Sequence, residues 1–283
     1  MRPHASQGKM GFIANGHKHI MEDSSALRGD YSKAGPDYVV EQPWSGYTPE
    51  QHALYRRLYE RQAALVPYLA CAEFNHALGA LDAATGIPRF DQVSQRLRRA
   101  TGWEIVPVPG LVPDEVFFEH LAHKRFPVTV WLRKPEEFDY IVEPDVFHDF
   151  FGHVPLLFDP VYADHMCEYG KGGLKALRLD GLKYLARLYW YTIEFGLIKS
   201  DAGVRAYGAG LLSSGGELAY SVQSDKPARR PFELMTVMAS DYHIDSYQDQ
   251  YFVIDSFGHL MQETAPDFTP LYARLRQRDK AAA

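Results

Sequence analysis

The stretch EPDVFHDFFGHVPLL, residues 143–157, places two histidines, His148 and His153, inside an otherwise apolar run. On an ideal α-helix, at about 100° per residue, side chains five apart point ~140° away from each other, so the two imidazoles would not converge. Gly152 and Pro155 offer a remedy. They can end a helix opened at Asp145 behind Pro144 and turn the second imidazole back toward the first. Two histidines gathered in this way make half of a metal site. Two ordinary histidines at a helix end are the alternative reading.

A third donor lies outward along the chain. Glu194 sits in LYWYTIEFGL, residues 188–197, where a carboxylate is costly to bury without a cation. On a helix it shares a face with Trp190 and Tyr191. Two imidazoles and one carboxylate are the facial triad of non-haem iron(II) oxygenases, which leaves three positions of an octahedron open. A structural zinc would be closed by four ligands, often thiolates, and Cys71 and Cys167 are both distant in sequence from these residues.

The composition narrows the alternatives. The chain has 283 residues, 30 basic and 36 acidic side chains and a formal net charge of −6, which argues against a general nucleic-acid or membrane-surface binder. No segment approaches ~18 consecutive apolar residues, and the N-terminus has no apolar run of signal-peptide length. Two cysteines are too few for a disulfide framework, so a reducing, cytoplasmic setting is expected. With 12 histidines and 4 Trp, 18 Tyr and 16 Phe, the sequence directs attention to a metal and an aromatic pocket. The segment GAGLLS, residues 208–213, is an imperfect GxGxxG without strand–turn–helix context, so dinucleotide binding is not expected. His120 and His123 read as surface or supporting groups, and both cysteines as packing residues.

The expected architecture is a mostly α (α+β) chain forming a single helical, basket-like domain with a few short strands. Thr48-Pro49 opens a helix to about residue 65, a second runs over 68–81 and a third over 91–100. Strands are expected at 103–109, 127–133 and 251–254, with Asp114 capping a helix between the first two. The longest helix is expected at 181–200, with a Gly-rich turn at 207–216, a helix near 231–240 and a terminal helix from Pro270. No sustained βαβ alternation is visible, which excludes a doubly wound sheet. Residues 1–46 read as an irregular or partly disordered arm, 47–278 as the catalytic domain and 279–283 as a tail.

Taken together, EPDVFHDFFGHVPLL, YWYTIEFGL and YGAGLLSSGGE, in this order and spacing, resemble the pterin-dependent aromatic amino acid hydroxylases, and among them the bacterial phenylalanine 4-hydroxylases. The resemblance covers roughly residues 47–278. It implies a non-haem iron(II) monooxygenase that converts L-phenylalanine to L-tyrosine with O₂ and a tetrahydropterin, either tetrahydrobiopterin or a bacterial equivalent. By the same resemblance His148, His153 and Glu194 hold the iron and are the catalytic centre. Phe117 stacks on the pterin, the backbone of Gly110 and Val112 meets its edge, and Asp149 faces its hydrogen-bonding groups. Arg133 binds the substrate carboxylate, a task for which a guanidinium fork is well shaped. Trp190 and Phe195 wall the amino-acid pocket, and Ser213 lines its polar end.

Two positions in this resemblance bear on the substrate. Trp190 stands where tryptophan hydroxylases usually carry Phe, and Ile244 where animal tyrosine hydroxylases carry Asp; both favour phenylalanine. Two others depart from the animal pattern: Ile141 replaces Thr, and Asp149 replaces Glu with a shorter reach toward the pterin. The regulatory domain and tetramerisation tail of animal members are absent from this sequence, so a monomer is expected. The competing readings are a member that prefers tryptophan or tyrosine, a non-catalytic metal- or pterin-binding protein, and a zinc hydrolase.

Overall fold

The computed structural model describes residues 27–81, 83–141, 143–244 and 246–282. It is mostly helical, with one continuous core cluster running from Tyr47 to Leu275. The first helix, Pro49–Ala63, starts where the sequence places it. Thr48 Oγ1 accepts from the Gln51 N–H, and the Gln51 side chain accepts from the Thr48 N–H in return. The expected helix over 68–81 divides into Val66–Leu69 and Ala72–Ala80. Phe90–Ala100 forms as expected.

Strand β1, Glu104–Val108, and strand β2, Arg125–Thr129, pair in parallel around the helix Asp114–Ala122, a single right-sized βαβ unit. Two details differ from the sequence reading. Pro113 is the N-cap and Asp114 the first helical residue. The second strand also ends at Thr129, so Arg133 lies in the loop beyond it. Strands β3 (Leu197–Ser200), β4 (Gly203–Ala206), β5 (Ala228–Pro231) and β6 (Gln250–Ile254) form a sheet in the order β4-β3-β6-β5. Only the β3–β4 pair is antiparallel.

The longest helix among the described residues is Pro160–Arg178, not 181–200. Its glycines hide it from a periodicity reading, but tertiary packing needs one of them: a Cβ on Gly173 would lie 2.1 Å from the Phe118 ring. The 181–200 segment instead gives a helix Leu182–Tyr189, a π-helical turn Trp190–Glu194 and then β3. The chain leaves the helix because Leu197 and Ile198 pair with Val253 and Ile254 of β6.

The expected arm and tail also differ from what was anticipated. Residues 1–26 lie outside the described residues. Residues 27–46 are irregular but tied to the domain: Arg28 Nη2 donates to Glu137 at 2.8 Å, and the Tyr31 hydroxyl donates to the Leu111 carbonyl at 2.9 Å. At the other end the helix Thr269–Ala282 runs through the expected tail, where the Tyr184 hydroxyl donates to Asp279 at 2.8 Å. His120 is buried, with Nε2 2.8 Å from the Asp37 carbonyl, whereas His123 is on the surface. Both cysteines are buried and unpaired.

His165, in the helix Pro160–Arg178, makes stability depend on pH. Its ring is buried; the Thr264 hydroxyl donates to the Leu260 carbonyl and so accepts from Nδ1–H at 3.1 Å, and Nε2 has no partner among the described residues. Burial pulls this imidazole down to about 4 from 6.5. The unfolded chain therefore binds the proton first as pH falls. The contribution is fully present above pH 6.5 and is lost on the way down to about 4, ~3 kcal/mol in all. Urea unfolding at pH 7.5 and 4.5 should show this loss, and His165→Phe should flatten the slope by about that amount. An unchanged slope would rule out this burial effect.

Candidate active site

The segment that opened the sequence analysis forms a π-helical turn, His148–His153. A π turn closes i→i+5, so residues five apart fall about one turn apart and face the same way. The two imidazole centroids are 5.2 Å apart. The expected helix end at Gly152 and Pro155 is therefore corrected: the backbone widens at this point and continues. Gly152 serves close packing, since a Cβ there would meet the Ala209 carbonyl oxygen at 2.8 Å. Asp145 is also not helical. It precedes the first turn at Val146, and its Oδ1 accepts the His148 N–H at 3.0 Å.

Glu194 ends the second π turn, closed by the Phe195 N–H donating to the Trp190 carbonyl at 2.8 Å. Its carboxylate reaches both imidazoles: Oε1 is 3.2 Å from His153 Nε2, and Oε2 is 3.6 Å from His148 Nε2. Asp149 also falls near this group, with the donor atoms of His148, Asp149 and His153 within 4.8 Å of one another. One Asp149 oxygen, however, accepts the Thr129 N–H at 2.8 Å. Burial pushes the Asp149 carboxyl up to about 7, with the Thr129 bond opposing.

The hydrogen bonds around His148 test whether these residues fit a metal. The Ser213 hydroxyl donates to the Ala209 carbonyl at 2.8 Å, so it accepts from His148 Nδ1–H at 2.9 Å. The His148 Nε2 then carries a lone pair facing a carboxylate oxygen. Burial favours this neutral form and pulls the imidazole down to about 4. Two acceptors aimed at one point repel each other unless a cation lies between them. The donors are nitrogen and oxygen without thiolate, which suits iron(II).

This hydrogen bond also corrects the expectation for Ser213, whose hydroxyl is spent on orienting an imidazole. Partners of this kind typically contribute 10- to 100-fold to metal affinity. Ser213→Ala should lower iron affinity by about that factor in a chelator competition, and unchanged affinity would refute the role.

Above these groups opens a cavity of about 420 Å³. All eleven residues expected at the site line it: Gly110, Val112, Phe117, Arg133, His148, Asp149, His153, Trp190, Glu194, Phe195 and Ser213. Trp190 is sandwiched between Phe195 (centroids 4.6 Å) and Tyr242 (4.4 Å, 16° between planes). Phe117 meets Tyr189 edge-on at 5.9 Å. Ile141 and Ile244 line the same space. Arg133 is buried and held by a partner that the sequence analysis missed. Its Nε and Nη2 donate to the two oxygens of fully buried Asp145 at 2.8 and 2.9 Å. Tyr189, Tyr242, Glu217 and Gln248 are further lining residues that the sequence reading did not select. Tyr242 and Gln248 come from a loop far along the chain, with no local pattern to reveal them.

An aromatic-walled cavity over two imidazoles and a carboxylate defines a small-molecule enzyme with donors of the non-haem iron type. Comparison with known proteins narrows this class. Residues 26–273 match the model of the biopterin-dependent aromatic amino acid hydroxylase family, and the chain belongs to that family. It is 56% identical over 241 residues to a phenylalanine-4-hydroxylase of Ralstonia nicotianae, covering 85% of this chain and 77% of the relative. It is also 56% identical over 240 residues to that of Chromobacterium violaceum, covering 84% and 81%. An iron- and phenylalanine-bound crystal structure of the Chromobacterium violaceum phenylalanine hydroxylase superposes with a TM-score of 0.83 at 51% identity, covering 91% of this chain and 93% of that one.

Proposed function

We propose that this chain is a phenylalanine 4-monooxygenase, forming L-tyrosine from L-phenylalanine and O₂ with iron(II) and a tetrahydropterin. The observation that carries this reading is the convergence of both imidazole Nε2 atoms on Glu194 at the floor of the aromatic cavity. His148, His153 and Glu194 hold the iron, since Asp149 already accepts a backbone N–H. Iron and tetrahydropterin together supply the activation of O₂ and the delivery of one oxygen atom to the ring.

The protein's own part is binding, orientation and exclusion of water. Phe117 offers its ring to the pterin face, Gly110 and Val112 line the pterin edge, and Asp149 faces its hydrogen-bonding groups. Arg133, stiffened by Asp145, receives the substrate carboxylate. Trp190 and Phe195 wall the ring site, and the Tyr242 stack keeps the indole from swinging aside. The bulk of Trp190 and the apolar Ile244 favour phenylalanine over tryptophan and tyrosine. The protein acts in the cytoplasm as a monomer, which sedimentation of the purified chain would test. No helix among the described residues is long and apolar enough to cross a membrane.

The test is metal analysis of the purified protein, combined with amino-acid turnover under added tetrahydropterin and air. Stoichiometric iron and tyrosine formation are expected, with kcat/KM highest for phenylalanine among the three aromatic amino acids. No tyrosine from iron-loaded protein would favour the non-catalytic reading, and tryptophan leading would overturn the argument from Trp190.

A further inference from the structure

Four carboxylates line the cavity among the described residues: Asp139, Asp149, Glu194 and Glu217. Asp139 is exposed and lies 3.4 Å from Arg61. Asp149 accepts from Thr129, and Glu194 faces the imidazoles. Glu217 is different. It is only 7% exposed, and no cation among the described residues pairs with it. Its Oε1 accepts from the Gln248 N–H at 3.1 Å and from the buried Tyr251 hydroxyl at 2.7 Å, while Oε2 has no partner among the described residues.

The carboxylate is also rigidly held. The Glu217 N–H donates to Ser214 Oγ at 3.1 Å, next to the serine that orients His148. Gln248 is clamped in turn, with Nε2 donating to the His243 carbonyl at 2.6 Å and Oε1 accepting the His243 N–H at 3.1 Å.

An α-amino acid brings two charges into such a cavity. Arg133 answers the carboxylate, but its own charge is already matched by Asp145. A buried ammonium then needs an acceptor, preferably an anion. We propose that Glu217 receives the α-ammonium of the substrate, so that the cavity selects zwitterionic amino acids over arylalkyl acids. This rests on the reading of Arg133 and Trp190 as substrate contacts. Burial holds the Glu217 carboxyl above the usual range, against the bonds from Tyr251 and Gln248, and an incoming cation would relieve that cost.

Glu217→Gln keeps an oxygen for Gln248 and Tyr251 and removes only the charge. In the full chain with iron and tetrahydropterin, the KM for L-phenylalanine should rise roughly 10- to 100-fold. The inhibition constant of 3-phenylpropanoate, which lacks the ammonium, should stay within about twofold, as should iron content and the KM for pterin. Asp139→Asn should leave all four unchanged. A parallel rise for phenylalanine and 3-phenylpropanoate would make Glu217 a merely structural group and overturn the proposal, as would no rise in either. Trp190→Phe, measured alongside, separates the two failures. If it alters kcat/KM for phenylalanine while Glu217→Gln does not, only the ammonium assignment falls. If neither variant has an effect, the substrate reading of the cavity falls with it.

Discussion

Replacing Glu194 with alanine should leave the purified protein almost without iron and lower tyrosine formation by at least ~10³-fold, about 4 kcal/mol of barrier. Its carboxylate is the one that faces both imidazole Nε2 atoms, at 3.2 and 3.6 Å. Its loss leaves two neutral nitrogens and no charge to balance a divalent ion. Asp149 does not substitute, because one oxygen is held by the Thr129 N–H. The variant should still fold. Glu194 is a nearly buried charge with no Lys or Arg partner, so the metal-free variant should melt no lower than the metal-free parent. Metal analysis and turnover decide the matter together: stoichiometric iron with full activity in Glu194→Ala would remove Glu194 from the ligand set.

Asp145→Asn should be the more damaging change to the fold. Asp145 is fully buried and accepts both Arg133 donors, the Arg133 N–H and the His148 N–H. Arg133 and the neighbouring bonds hold its carboxyl below the usual range despite burial. Asparagine keeps the shape but leaves a buried guanidinium without its anion, a loss of ~3–5 kcal/mol. For a chain of this size the melting temperature should fall on the order of 10 °C. The KM for phenylalanine should rise as Arg133 loses its orientation. A melting temperature within about 2 °C of the parent would show that the ion pair carries little of the fold.

These two residues mark how far local sequence reaches. Glu194 was legible because a charge in LYWYTIEFGL breaks an apolar pattern and calls for a buried role. Asp145 was not: an acidic residue after a proline reads as an ordinary helix start, and only the fold brings Arg133, twelve residues earlier, onto it. The two histidines fall between these cases. Their identity as a pair was legible, but the device that aligns them was taken for a helix end. A π turn has no composition signal; it is stabilised by the packing around it, including the close approach of Gly152 to Ala209. Ser213 was found as a site residue and given the wrong partner, because the target of a hydroxyl is set by rotamer and neighbours.

The pattern of elements divides along the same line. Pro49–Ala63 and Phe90–Ala100 emerge from caps and periodicity, which are local energies. Pro160–Arg178 was missed because its glycines weaken the helical pattern, while Phe118 from another helix requires one of them. The sequence by itself determined the kinds of chemistry present: imidazole and carboxylate donors, a guanidinium, large aromatic rings and their order along the chain. The tertiary structure decided which of these groups meet. Tyr242 stacks on Trp190, Asp145 charges Arg133 and Glu217 stands unpaired in the cavity wall because long-range packing overrides local preference wherever burial outweighs propensity.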